Sequence, residues 1–234
     1  MESLWLLHPE EYNAIQNESR KLILHPLLAT LIKPNEPTKL LDYGCGDGSF
    51  VQLLPENIIT SLFDISNVSL SQAAKNLRKR KPSIYYEESS IPQDFFDYVI
   101  FSLVLMTIPT KRDIKKALTN IFNALKSNGI LLAAVTHPCF RQYPFSTFHT
   151  SYSEAKTFHY FNDGENFKVY LRDNKSDNMI SFDDYHWNLS TTLNLIIETQ
   201  FQITKMIELP DSSELGKYHN PNFCPYLIIE CKKL

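Results

Sequence analysis

The stretch Lys39-Leu40-Leu41-Asp42-Tyr43-Gly44-Cys45-Gly46-Asp47-Gly48-Ser49 decides the fold. Its first five residues read as a β-strand, and three glycines within five residues follow at once. The chain of 234 residues holds six glycines in all, where average usage of about 7% would give about 16. Glycines this scarce and this clustered mark a place where the backbone must come close to something. A glycine turn that leaves a strand and opens a helix, here from about Ser49, belongs at the carboxyl edge of an α/β sheet, where ligands sit.

The spacing and the charges narrow the ligand. G-x-G-x-x-G, the dinucleotide pattern, would need glycine at position 49, which is Ser49. A P-loop is excluded because no Gly-Lys-Ser/Thr follows. Pyrophosphate wants unopposed N–H groups, whereas this loop presents Asp42 and Asp47. Asp64, 20 residues past Gly44, ends the next strand and is placed to accept from ribose hydroxyls. The composite is an adenosine-type ligand with a cationic tail and no phosphate.

On either side of the loop, β-branched runs alternate with amphipathic stretches, the βαβ pattern of a largely parallel sheet. Strands are expected at 39–43, 60–64, 83–87, 97–102 and 130–136. Helices are expected at 66–81, with Ser66 as N-cap, and at 111–126, with Asn128-Gly129 as the stop signal. From His137 to Trp187 no period is sustained, and these 51 residues carry 13 of the 29 aromatics and four of the seven histidines. A helix at 189–199 and strands at 201–207 and 224–231 close the chain. The first 38 residues read as an amphipathic helical cap ending in Pro34 and Pro37. The organisation expected is one domain over 1–234: cap 1–38, donor-binding half 39–136, substrate-side insertion 137–187, and C-terminal helix and strands 188–234.

A net charge of −3 and a pI near 6.2 give no global pull toward nucleic acid or anionic membrane. No apolar run approaches the roughly 20 residues of a membrane span, and the N-terminus lacks a signal-peptide pattern. Cys45, Cys139, Cys224 and Cys231 form no C-x-x-C pair. A soluble cytoplasmic protein with reduced thiols is expected. Five of the seven residues in 75–81 are basic, read here as cations completing a helix C-terminus rather than as an RNA site. The insertion has five Lys/Arg against seven Asp/Glu. His137, Cys139, His149 and His159 match no zinc spacing, so no metal is expected.

Asp42-x-Gly44-x-Gly46-x-Gly48 with Asp64 resembles the class I S-adenosylmethionine-dependent methyltransferases. The likeness continues in Ser90-Ile91-Pro92 with the strand Phe96–Leu105, in Leu125–Leu132, and in Thr136-His137-Pro138 and Tyr185–Ser190, which are similar to a small-molecule branch. It covers about 38–234. The resemblance implies a Rossmann-like α/β fold: a seven-stranded, mostly parallel sheet with an antiparallel last strand, helices on both faces and an insertion after strand 5. It implies S-adenosyl-L-methionine as cofactor, S-adenosyl-L-homocysteine as product, and a donor site of Asp42, Gly44, Gly46, Gly48, Asp64, Ile65, Glu88, Ser89 and Ser102. Tyr12 and Arg20 in the cap are carried over for the methionine end. Where many relatives have an acidic-Ala pair at adenine, this chain reads Glu87-Glu88-Ser89-Ser90.

The activity expected is methyl transfer to an oxygen or nitrogen of a small molecule. An RNA (tRNA) methyltransferase, a non-catalytic S-adenosylmethionine-binding protein and a nicotinamide oxidoreductase are the alternatives; Ser49 and Asp47 argue against the last. His137, directly after strand 5, is expected to aim its imidazole into the site as a general base, with His186 as second candidate.

Overall fold

The computed structural model describes residues 19–34, 37–155, 158–173, 179–210 and 222–234. A seven-stranded sheet runs in the order β3-β2-β1-β4-β5-β10-β9, with β1 Thr38–Tyr43, β2 Ile58–Phe63, β3 Ser83–Tyr85, β4 Phe96–Ser102, β5 Leu125–Thr136, β9 Phe201–Leu209 and β10 Tyr226–Lys233. The first five strands are parallel. β10 runs antiparallel between β5 and β9, so the last strand in sequence is the antiparallel one, as the resemblance implied.

β10 alternates its side chains between two cores. Tyr226 and Ile228 join the face packed against α1 (His25–Leu31) and α2 (Asn67–Asn76). Leu227, Ile229 and Cys231 join the face covered by α3 (Lys111–Ala124). The Ser19 hydroxyl meets the Tyr226 hydroxyl at 2.9 Å, so the N-terminal helical turn is tied to β10.

Three expected boundaries moved. The glycine loop opens a single 3-10 turn, Val51–Leu53, rather than an α-helix, because Pro55 follows before a second turn can form. α2 stops at Asn76, short of 81. Past it, Lys81 has positive φ ahead of Pro82, and Arg80 donates to the carbonyls of Pro55 and Leu54. α3 stops at Ala124, because Leu125 is already extended and pairs with Phe96. Ile130 then pairs with Tyr98, leaving 126–129 as a bulge in which Asn128 has φ 65°. The Asn128-Gly129 signal marks that bulge, not a helix end.

The largest correction concerns the insertion. It carries its own antiparallel sheet, β6 (Phe148–Thr150), β7 (Glu165–Arg172) and β8 (Met179–His186), with the helical turn α4 (Ser151–Ala155). β7 alternates cleanly, burying Phe167, Val169 and Leu171. β8 buries Phe182, Asp184 and His186, and two polar residues on its inward face hide the strand period from a hydrophobicity reading. Its aromatics are continuous with the core beside α1 and α2. α5 (Leu189–Glu198) follows, capped by Asn188, whose side chain accepts from Thr191 N–H. No helix among the described residues is long and apolar enough to cross a membrane. All four cysteines are free thiols.

Candidate active site

β1 and β2 end level, Tyr43 opposite Phe63, and the chain turns sharply beyond each. Gly44 N–H and Cys45 N–H both donate to the Phe63 carbonyl, at 2.7 and 3.1 Å. Asp64 then clamps the loop: Oδ2 accepts Gly46 N–H and Oδ1 accepts Ser66 N–H, each at 2.9 Å. One carboxylate thereby fixes both the glycine loop and the start of α2. A Cβ at Gly44 would stand 2.3 Å from Val104 Cγ2, while one at Gly46 would meet nothing within 4 Å. Gly44 is needed so that strand and loop can pass, and Gly46 offers open backbone to a ligand.

These turns border a cavity of about 430 Å³. Arg20, Asp42, Gly44, Gly46, Asp64, Ile65, Glu88 and Ser102 all line it, so the structure brings together eight of the residues implied for the donor. Two expected residues fall elsewhere. Gly48 turns away, its Cβ direction meeting Leu77 and Ala73, so it serves loop-to-helix packing. Ser89 lines a second, adjoining cavity of about 730 Å³. Tyr12 lies outside the described residues.

The cavity is electrostatically tuned for a cation. Asp42 is buried, and burial together with the Asp64 and Asp47 carboxylates pushes its pKa up to about 8. Burial also raises Asp64, against the two backbone N–H groups that favour its charge. Three carboxylates that repel one another gain from a positive ligand. Ser102 Oγ is buried in the wall without a hydrogen-bond partner, a polar atom awaiting a ligand group. Between the two cavities, Glu88 accepts from the Tyr43 hydroxyl at 2.5 Å and pairs with Lys116 at 2.6 Å. Burial works to raise the Glu88 pKa, but Lys116 and Tyr43 outweigh it and hold the carboxyl below its usual range.

Sequence reasoning missed several wall residues. His25 stands edge-on to Phe50, and burial first, then Arg20 and Lys21, holds its imidazole neutral. Leu103 has φ 59° just past β4, a strained conformation for a branched side chain and common at functional sites. No sequence signal announces either. Thr107, Ile108 and Pro109 complete that wall.

The two histidines expected as bases do not line this cavity. His137 N–H is fixed by the Pro225 carbonyl at 2.8 Å. Its Nδ1 accepts from Cys139 N–H at 3.3 Å, so Nε2 carries the hydrogen and donates to Glu208 at 3.0 Å. Burial lowers its pKa, opposed by Glu208. The expectation that this ring aims into the site is corrected: both nitrogens are committed to anchoring the chain after β5. His186 is fully buried and its Nε2 donates to the Tyr160 carbonyl at 2.8 Å. Among the described residues, no three of His137, Cys139, His149 and His159 bring their ligand atoms together, and His149 is stacked on Tyr170. A different trio, His137, Glu208 and Cys224, has donor atoms within 4.8 Å of one another. Within it His137 is bonded to Glu208, while the Cys224 thiol donates to the Tyr226 carbonyl.

A family model described as a methyltransferase domain matches residues 15–175. The chain belongs to this family. With its glycine loop and Asp64, it is a methyltransferase of the class I, S-adenosylmethionine-dependent kind. It is 26% identical over 235 residues to an uncharacterised Haemophilus influenzae protein, covering 92% of this chain and 88% of that one. It is 28% identical over 155 residues to the malonyl-[acyl-carrier protein] O-methyltransferase of Bacillus anthracis, covering 62% of this chain and 54% of the relative. In fold it is similar to an S-adenosylmethionine-dependent methyltransferase of Mesorhizobium loti, with a TM-score of 0.62 and 19% identity, over 88% of this chain and 96% of the other.

Proposed function

We propose that this methyltransferase moves the sulfonium methyl of S-adenosylmethionine onto an oxygen or nitrogen of a small molecule. The observation that carries this reading is the cavity at the ends of β1, β2 and β4, where three carboxylates and an unpartnered Ser102 hydroxyl converge beside open Gly46 backbone. Asp64 keeps lone pairs for ribose hydroxyls while holding the loop. Asp42 faces the cationic end. The apolar wall of Phe50, Val104 and Ile108 suits an adenosyl body and keeps water from the transfer.

The donor arrives already activated by its positive sulfur. The chain's task is therefore to hold donor and acceptor in line. His137 has no free nitrogen to take a proton, so it positions the segment after β5. An acidic insertion, in place of a basic groove, favours a small acceptor over RNA.

Thermal shift tests the reading. S-adenosylhomocysteine should raise the melting temperature by mass action, and NADH should not. Mass spectrometry of the protein as purified should find a bound adenosyl compound. Stabilisation by NADH alone would overturn the reading, and a tRNA-dependent, salt-sensitive complex would move the acceptor class to RNA.

A further inference from the structure

The insertion buries polar side chains that its own fold leaves short of partners. Arg141 follows the turn after β5 and is 4% exposed. Its Nη1 donates to Thr136 Oγ1, its guanidinium lies 5.3 Å from the centre of the Phe167 ring, and its Nε has no partner. Asp184, 3% exposed, interacts with it electrostatically from β8. No ion pair joins them among the described residues, and Asp184 Oδ1 is unpartnered. Two residues on, on the same inward face of β8, fully buried His186 spends Nε2 on the Tyr160 carbonyl and leaves Nδ1 without a partner.

Buried polar groups are nearly always hydrogen-bonded, and a buried guanidinium with so few bonds is costly. Arg141 interacts electrostatically with both Asp184 and His186, so three under-bonded groups from two elements share one buried site. Its chemistry is specific. A cationic amine would meet Arg141 at like charge, and a hydrocarbon would leave all three groups unpaired. A carboxylate satisfies the guanidinium through charge-assisted hydrogen bonds. Burial raises the Asp184 carboxyl to about 7, so near neutrality it is only a weak competitor for Arg141 and yields the guanidinium to a fully ionised carboxylate. His186 Nδ1 accepts a hydrogen from a hydroxyl or N–H elsewhere on that molecule.

The location fits an acceptor. β8 packs against the turn Leu105–Thr107, and Trp187 Nε1 donates to the Ile108 carbonyl at 3.2 Å. Thr107 and Ile108 line the donor cavity, so the strand that carries Asp184 and His186 packs on a segment of that cavity's wall. We propose that Arg141, Asp184 and His186 form a subsite that anchors a carboxylate of the small molecule to be methylated. This rests on the small-molecule reading above. Because Arg141 does not line the donor cavity, the carboxylate is the anchored end of the acceptor.

The test is titration calorimetry on protein saturated with S-adenosylhomocysteine. The probes are a panel of aliphatic and aromatic monocarboxylates and hydroxycarboxylates, each beside its primary amide. At least one acid should bind tenfold or more tightly than its amide, and Arg141→Lys should remove that preference, since lysine lacks the planar fork. Asp184→Asn should tighten acid binding, because it removes the internal carboxylate that competes for Arg141. A purely structural Arg141–Asp184 pair gives the opposite result: Asp184→Asn lowers the melting temperature and no acid outbinds its amide. If Arg141→Lys fails to fold, Asp184→Asn alone decides. Failure of every acid while S-adenosylhomocysteine still binds overturns the subsite and leaves the methyltransferase reading standing. Loss of both overturns the parent reading.

Discussion

At the end of β1, Asp42 is buried yet borders a cavity, its neighbours are two more carboxylates, and the turns around it are held by backbone hydrogen bonds. On β8, Asp184 is buried to the same degree, but it faces a lone guanidinium inside a sheet filled by Phe167, Val169 and Phe182. Burial raises both carboxyls, to about 8 and about 7. The first sits in a surface built from a continuous motif. The second depends on side chains brought together from β5, β7 and β8. Local sequence builds the donor site, and long-range packing builds the region over it.

The comparison predicts separable effects. The largest should come from Phe167→Ala, which empties a core position and should destabilise the protein by about 3–5 kcal/mol while donor affinity at permissive temperature stays unchanged. Equal damage to donor binding, read by calorimetry, would join the two regions energetically. Asp64→Ala should cost about 1.5–3 kcal/mol of donor affinity. It should also lower the ligand-free melting temperature, because two backbone N–H groups lose their acceptor. A variant that binds weakly yet melts normally would show the clamp to be idle.

A pH titration is the next step down. Asp42 must ionise to meet a cationic donor, so binding releases a proton below its pKa. Donor affinity should therefore rise by up to about tenfold per pH unit, equivalent to 1.36 kcal/mol per unit of pKa, until it levels at about 8. Stability of the free protein runs the other way. A carboxyl whose folded pKa is raised contributes stability at low pH that is lost between its unfolded value of 3.8 and about 8. Asp42→Asn should flatten both profiles, and a retained slope would assign the proton elsewhere. The smallest effect expected is His137→Gln, which should cost about 0.5–1.5 kcal/mol of stability and slow methyl transfer less than tenfold. A larger rate loss with normal melting would restore the ring to the chemistry.

What the sequence made legible follows the same division. The positions of the sheet's strands along the chain, the glycine loop and the place of Asp64 just past β2 could be read because each rests on a few adjacent residues with a mechanical role. Asp64 was expected as a ribose acceptor, but its part as the clamp on Gly46 and Ser66 was not legible, since that depends on how closely β1 and β2 end. β7 offered its period openly in Phe167, Val169 and Leu171. It went unread because its partner β8 breaks the pattern with Asp184 and His186. Leu103 carries positive φ with no residue-type signal, because the Ala134 carbonyl that fixes its N–H lies on another strand.

β10 has a consequence for how the molecule is made. It follows every other strand of the sheet in chain order, yet it lies between β5 and β9 and fills both cores. Until residues through Lys233 emerge, β5 presents a bare edge and β9 has no neighbour to pair with. The donor-binding half can collapse on the nascent chain, but the sheet closes only after synthesis has passed its final strand. In that interval an exposed edge invites pairing with other chains. Growth temperature and chaperone supply should therefore govern the soluble yield of this protein more than they govern its stability once folded.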